Sequence, residues 1–189
     1  NASAYNTDWQ DRNLTKSVTT GQGDSGDTDV IFLTGVNQKH SGVELETNYM
    51  VNDMLDLMFV ASFGNWKFDG DANGNYQETE YNSEGQAIGY TTTEYAYALD
   101  GLYVGDMPQT SYVLGVTLKP IKDLRIQAIH KMYDKNYSDW SPSAREFDGT
   151  NDDADRAQVW EAPSYNRLDL HMSYKLPKVK DLDMMLTAN

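Results

Sequence analysis

The chain has 189 residues and carries 15 basic against 29 acidic side chains, for a formal net charge of −14. This balance excludes ordinary nucleic-acid binding, because phosphate contacts need clustered Lys and Arg. Cysteine is absent, which excludes disulfides and thiolate metal sites, and no run approaches the roughly 18 apolar residues of a membrane-spanning helix.

Alternation of apolar and polar side chains predicts seven β-strands in chain order. The first strand, around Tyr5, Thr7 and Trp9, has the weakest pattern. The clearest pattern covers residues 165–176, where the apolar positions are Leu168, Leu170, Met172, Tyr174 and Leu176. The apolar positions of the other five strands are Val43, Leu45 and Tyr49; Leu55, Leu57, Phe59, Ala61 and Phe63; Tyr112, Leu114, Val116 and Leu118; Leu124, Ile126 and Ala128; and Leu182, Met184, Leu186 and Ala188.

Short and long connections alternate between these strands. The short ones cover residues 51–54, 119–123 and 177–181, and the long ones cover residues 16–29, 68–106 and 137–164, with an extra strand or hairpin expected within residues 94–103. A compact soluble domain seldom carries several long structureless loops, whereas a membrane barrel has short periplasmic turns and long extracellular loops. The prediction is therefore an all-β fold, an antiparallel transmembrane β-barrel segment of about seven strands with long extracellular loops.

This fold requires one face of every strand to meet lipid and the other to meet the wet interior of the barrel. Charged and polar side chains expected to point inward, where they pair with each other or with a plug, are Glu44, Glu46, Arg125, Lys131, Arg167, Asp169, His171 and Lys175. Aromatic residues near the outer strand ends are expected to form a girdle at the lipid interface; they are Trp66, Tyr112, Tyr133, Tyr137, Trp140 and Tyr165.

Several segments resemble TonB-dependent outer-membrane receptors. Residues 35–46, ending in His-Ser-Gly-Val-Glu-Leu-Glu, resemble a family strand. Residues 5–12, 105–110, 136–142 and 160–170 are similar to neighbouring barrel segments in the same order. The resemblance implies that residues 1–189 are part of the C-terminal β-barrel domain, roughly the last third of a 22-stranded barrel. The plug domain, the TonB box and the closing strand are expected to lie outside this chain, whose two ends both read as cuts.

The family resemblance also implies a function. It implies an outer-membrane active-transport receptor that takes up a scarce nutrient, such as a chelated metal, cobalamin or an oligomeric nutrient, with energy from the TonB complex acting through the plug. The implied partners are outer-membrane lipid, the TonB complex, the nutrient and, as a candidate, a surface lipoprotein over the loops. Two alternatives stay open: a passive porin or structural barrel, and a soluble carbohydrate-binding β-sandwich.

One loop segment matches a calcium-binding pattern. Residues 69–80 fit D-x-D-x-N-G-x5-E, with Gly74 at the sharp turn. The candidate ligands are Asp69, Asp71, Asn73, Asn75, Gln77 and Glu80. The expected site is a calcium-stiffened extracellular loop, and the alternative is a solvated acidic turn. Calcium is the one cofactor that the sequence indicates.

Two further groups of loop residues are candidates for ligand contacts. Tyr90, Tyr95, Tyr97 and Trp140 offer rings that stack on sugars or aromatic chelators, or that pack on one another. Asp148, Asp152, Asp153 and Asp155, with Arg145 and Arg156 nearby, form an acidic cluster that attracts a cationic or metal-bearing ligand, or is simply solvated.

No catalytic motif stands out in the sequence. His40, His130 and His171 lie far apart, and H-E-x-x-H, G-x-S-x-G and phosphate-loop patterns are absent. The protein is therefore not expected to be an enzyme.

Overall fold

The structure, a computed structural model, describes residues 1–20, 27–142, 145–147, 154–177 and 182–189, with side chains 18–20 and 27–29 left out. These residues form one antiparallel sheet. Its strands are β1 (Ala2–Thr20), β2 (Asp27–Asn52), β3 (Leu55–Phe68), β4 (Ala72–Tyr81), β5 (Ala87–Tyr97), β6 (Pro108–Leu118), β7 (Leu124–Tyr137), β8 (Glu146–Phe147), β9 (Glu161–Ala162), β10 (Tyr165–Lys175) and β11 (Met185–Ala188). In the described residues, no helix is long and apolar enough to cross a membrane.

Seven strands form a continuous meander, which we call the wall. Its order is β1-β2-β3-β6-β7-β10-β11, with each strand paired to its neighbours. The predicted all-β antiparallel fold and its seven barrel strands are confirmed. The turns at residues 52–55 and 118–124 close one end of the wall, and the long connections leave from the other end, as the alternating loop lengths predict.

Register gives the wall one apolar and one polar face, because directly paired residues point to the same side of a sheet. On the apolar face, side chains line up in rows across the strands. The rows are Thr47, Phe59, Leu114, His130 and Leu168; Tyr49, Leu57, Val116, Ala128 and Leu170; and Leu55, Leu118, Ile126 and Met172.

The apolar rows are exposed, which is the opposite of a soluble core. Leu168 and Leu170 are 61% and 60% exposed, and Met172 is 42% exposed. Within the described residues no second sheet packs against them. This arrangement contradicts the soluble β-sandwich alternative, which buries the apolar faces of two sheets against each other.

The polar face carries the charges that the alternation pattern assigned to it. Lys131 Nζ lies 3.1 Å from one carboxylate oxygen of Asp169, and Arg167 Nε lies 2.6 Å from the other. Lys131 and Arg167 therefore share the carboxylate of Asp169 across two neighbouring strands, which confirms the expected pairing for these three of the eight inward residues.

All three long connections contain residues that extend the sheet, and residues 137–164 contribute the short strands β8 and β9. Residues 16–20 and 27–29 belong to β1 and β2, so the loop predicted for residues 16–29 is wrong at both ends. Residues 68–106 contain the hairpin of β4 and β5, of which the prediction anticipated only part, within residues 94–103.

The buried core lies at the long-connection end of the molecule, not in the wall. We call this region the cap: β4, β5, β8 and residues 98–104, 138–142 and 154–160, packed on residues 31–36 of β2. Its buried apolar side chains are Ile31, Leu33, Val36, Phe68, Ala72, Tyr97, Leu99, Leu102, Tyr137, Trp140 and Val159.

Candidate functional site: the cap and the polar face beneath it

The cap begins where β2 extends beyond the end of its pairing with β3. Residues 38–52 of β2 pair with β3, whereas residues 30–34 pair with β4. The sheet crosses this boundary through two bulges, one at Asp11 of β1 (φ 52°) and one at Gly35 of β2 (φ 67°). Each bulge adds one residue to its own strand, so the register between β1 and β2 is the same above and below the bulges. The polar face of the wall therefore continues into the buried side of the cap.

Alternation then separates the two sides of β2 within the cap. Ile31 and Leu33 are buried against the cap core, whereas Phe32 and Thr34 are exposed on the other side. Gly74 of β4 is paired with Leu33, and a Cβ at this position would lie 2.7 Å from the Tyr97 ring. Glycine is therefore required there for close packing.

An ion pair, which we call the clasp, joins residues 154–160 to the rest of the cap. The Nη2 of Arg156 donates to Oδ2 of Asp71 at 2.9 Å, and its Nη1 donates to Oδ1 at 3.2 Å. The backbone N–H groups of Leu99 and Asp100 also donate to Oδ1 of Asp71, each at 3.0 Å. Burial raises the pKa of Asp71, but the hydrogen bonds and charge of Arg156 and the two N–H groups outweigh it, so this pKa lies below its usual value.

Hydrogen bonds of Arg145 and Gln158 also hold residues 154–160 in place. The buried guanidinium of Arg145 donates to the carbonyl oxygens of Asp155 and Ala157, both at 2.8 Å. Gln158 accepts from the N–H of Tyr103 at 3.1 Å and donates to the Gly101 carbonyl at 2.7 Å.

The second acidic cluster can be placed only in part. Asp148, Asp152 and Asp153 lie outside the described residues. Asp155 is described, and it accepts a hydrogen bond from the N–H of Ala157. Arg145 and Arg156 are engaged by the carbonyl oxygens and by Asp71, as given above.

The candidate calcium segment is a strand, so the predicted loop conformation of residues 69–80 is wrong. Residues 72–81 form β4, which pairs with both β2 and β5. Asn73, Asn75 and Gln77 share one side of this strand. Glu80 lies on the opposite side and roughly 23 Å from Asn73, at about 3.3 Å per residue. These side chains cannot surround a single ion in this conformation.

The first two acidic residues of the segment are already paired. Asp69 lies 2.7 Å from Lys39 Nζ, and Asp71 forms the clasp. In the part of the chain that the structure describes, no group of three or more His, Cys, Asp and Glu side chains is arranged to hold a metal ion. Calcium binding by residues 69–80 would therefore require this segment to leave the strand conformation, and a solution measurement tests it.

The four aromatic ligand candidates do not form one surface. Tyr90 is 65% exposed on β5, and Tyr95 packs edge-on against Tyr76 with ring centroids 6.5 Å apart. Tyr97 is 0% exposed and lies 6.0 Å from the Trp140 ring, which is itself buried. For Tyr97 and Trp140 the structure therefore shows the alternative, in which the rings pack on one another.

The predicted aromatic girdle is wrong for five of its six residues. Tyr112 points to the apolar face, beside Phe63. Trp66, Tyr133 and Tyr165 point to the polar face, because their strand partners are polar-face residues. Tyr137 and Trp140 belong to the cap core. Position near a strand end identified these residues as aromatic interface candidates, but the side of the strand decides their environment.

A compact aromatic group on the polar face went unrecognised in the sequence. Trp66 stacks on His40, with ring centroids 5.4 Å apart and planes 18° apart. The indole N–H of Trp66 donates to the Tyr5 hydroxyl at 2.8 Å. We call Tyr5, His40 and Trp66 the platform. The alternation within β3 could have indicated the position of Trp66, because Trp66 lies an even number of residues from Ser62 and therefore points to the same face of the sheet.

A family model described as TonB dependent receptor-like, beta-barrel, matches residues 1–189. No curated protein and no solved structure matches the chain significantly. The match therefore covers the wall and the cap together.

Proposed function

Because the chain belongs to the TonB-dependent receptor β-barrel family, we propose that it is the outer-membrane wall of a receptor that takes up a scarce nutrient by active transport. Proteins of this family are bacterial outer-membrane transporters, not enzymes. The nutrient is captured at the cap side of the barrel, and energy from the TonB complex moves a plug that opens the path.

The observation that carries the proposal is the pair of opposite faces on one sheet. Rows of exposed apolar side chains suit hydrocarbon, which cannot hydrogen-bond to polar groups. The polar face, with Lys131, Arg167 and Asp169 paired to one another, suits a wet interior.

The free edges of the wall support a longer chain. In the described residues β1 pairs only with β2, and β11 pairs only with β10. Unpaired edges are not tolerated in lipid, so further strands must complete the barrel. We propose that these strands, a plug domain and a TonB box belong to the same receptor.

Uptake in matched cells tests the proposal. The full-length receptor is expressed in the outer membrane of a strain with a working TonB complex and in the same strain lacking TonB. A panel of labelled ferric chelates, cobalamin and oligosaccharides is offered to both. Receptor-dependent uptake that requires TonB is the expected result. Equal receptor-dependent uptake in both strains would identify a passive channel instead.

A further inference from the structure

We infer that the polar face of the wall below the cap is a binding surface for a neutral saccharide, with the platform of Tyr5, His40 and Trp66 at one end. This inference rests on the proposed function and names its substrate class. The ring geometry, the small residues beside the rings and the local charge support it.

Two glycines leave room for the platform side chains. A Cβ on Gly42 would lie 2.4 Å from the Tyr5 hydroxyl oxygen, and a Cβ on Gly64 would lie 2.9 Å from the Trp66 ring. The Trp66–Tyr5 hydrogen bond and the His40 stack then hold the rings in place. Rings that are fixed before binding lose little side-chain entropy when a ligand stacks on them.

A second aromatic pair stands on the same face, two strands away. Tyr133 and Tyr165 stack with ring centroids 4.9 Å apart and planes 27° apart. Tyr133 lies in the row of Ser62 and Ser111, four residues below Trp66 along β3. With strands about 4.8 Å apart and about 3.3 Å per residue, the two aromatic groups are separated by roughly 16 Å.

Small polar residues fill the interval between the two aromatic groups. Ser62 and Ser111 lie between Tyr133 and Gly64, which the Trp66 ring covers. The floor of this stretch, which we call the trough, therefore carries small hydroxyl side chains. Ser3 and Glu44 continue the same row, and the Ser3 hydroxyl donates to Glu44 at 3.4 Å. A chain of sugar rings presents flat apolar faces to aromatic rings and hydroxyl groups to such a floor.

The charges around the trough favour a neutral ligand over an anionic one. Lys131 and Arg167 share the single carboxylate of Asp169, and Glu44 in the row of Ser62 offsets the remaining positive charge. Arg12 donates to Gln38 at 2.9 Å and lies over the Trp9 ring. With these cations engaged, and with the whole chain at −14, an anionic metal chelate meets no cluster of unengaged positive charge among the described residues around the trough.

Titration calorimetry on the purified full-length receptor in detergent tests the inference. The probes are four neutral linear hexasaccharides, built from α-glucose, β-1,4-glucose, β-1,3-glucose and xylose, and two anionic ferric chelates, ferric citrate and a ferric catecholate. We expect at least one neutral series to bind. Trp66→Ala is expected to weaken that binding about tenfold, as loss of one stacked ring should, whereas Trp66→Phe keeps most of it.

Trp160→Ala is the matched control, because Trp160 is exposed and lies outside the platform and the trough. Its affinity should equal that of the wild type. Unchanged migration of the unheated barrel in gels establishes that each variant folds. Equal affinities of wild type and Trp66→Ala for the sugar would overturn the inference, as would binding of the ferric chelates alone.

The two proposals fail separately in this design. Binding in detergent needs no energy, so it reports on the platform alone. Chelate binding with TonB-dependent uptake would refute the saccharide surface and leave the transport function standing. Sugar binding combined with TonB-independent uptake would do the reverse.

Discussion

The wall and the cap are built from one sheet, yet they place apolar side chains in opposite situations. In the wall, Leu168 and Leu170 stand exposed on a face that suits lipid. In the cap, Leu33 and Leu99 are buried against rings and aliphatic side chains from four segments of the chain. The surrounding medium explains this difference. The wall faces lipid and needs no core of its own, whereas the cap, which stands in water, must bury its apolar side chains in one.

The largest effect should follow from damage to the cap core. Leu99→Ala removes a 0% exposed side chain and leaves a cavity, so we expect the cap to lose about 2–5 kcal/mol of opening free energy. Hydrogen exchange of β4 and β5 in the full-length receptor measures this quantity. Ile88→Ala is the control, because Ile88 is 64% exposed on β5 and should change little. Equal exchange in the two variants would show that the cap core contributes no cooperative stability.

A somewhat smaller effect should follow from a charge on the apolar face of the wall. Phe59→Arg places a guanidinium among the apolar rows, at an expected cost of about 2–4 kcal/mol in a bilayer. Val60→Arg is the matched control, because Val60 points to the polar face and pairs with Glu46. Urea unfolding of the full-length receptor in lipid vesicles measures both variants. If Val60→Arg proved the more harmful, the assignment of the two faces would be reversed.

The clasp should respond to acid. The pKa of Asp71 is lower in the folded cap than its ordinary value of 3.8, so the clasp stabilises fully above that value and is lost as pH falls through the lower folded pKa. Exchange protection of residues 154–160, corrected for the intrinsic rate, should drop over that range by about 1 kcal/mol. Asp71→Asn should lower protection at neutral pH and abolish the acid response. Glu84→Gln, in the exposed β4–β5 turn, should leave the profile unchanged.

The smallest effect is expected from calcium. Since β4 holds the side chains of residues 73–80 on two sides of a strand, we expect Ca²⁺ titrations of the wild type and of the Asp71→Ala plus Glu80→Ala double variant to give equal heats. Mg²⁺ serves as the ion control. A calcium heat that the double variant lacks would show that residues 69–80 rearrange into the predicted loop.

Much of the wall could be predicted from the sequence, because alternation reports directly on a sheet with two different environments. Leu168, Leu170 and Met172 were placed on the correct face, and Lys131 and Asp169 on the opposite one. The error over Tyr133 and Tyr165 was avoidable. Tyr165 shares its parity with Arg167 and Asp169, so the same alternation already placed it on the polar face.

The cap could not be predicted in the same way. Tyr97 and Trp140 come from segments more than 40 residues apart, and nothing local indicates that their rings meet. The clasp likewise joins Asp71 to Arg156 across 85 residues. The calcium pattern does not predict the strand at residues 72–81, because it specifies residue types at fixed spacing, whereas pairing with β2 and β5 dictates the backbone conformation there.

The bulges at Asp11 and Gly35 also constrain which changes of length the chain can accept. Loss of Gly35 alone would shift the upper part of β2 by one position, turning Ile31 and Leu33 towards water and Phe32 inward. A simultaneous loss of Asp11 would restore the phase between the two strands. A single insertion or deletion here should therefore exchange the buried and exposed sides of the upper part of β2. Evolution can change the length of this junction only by compensating changes in both strands.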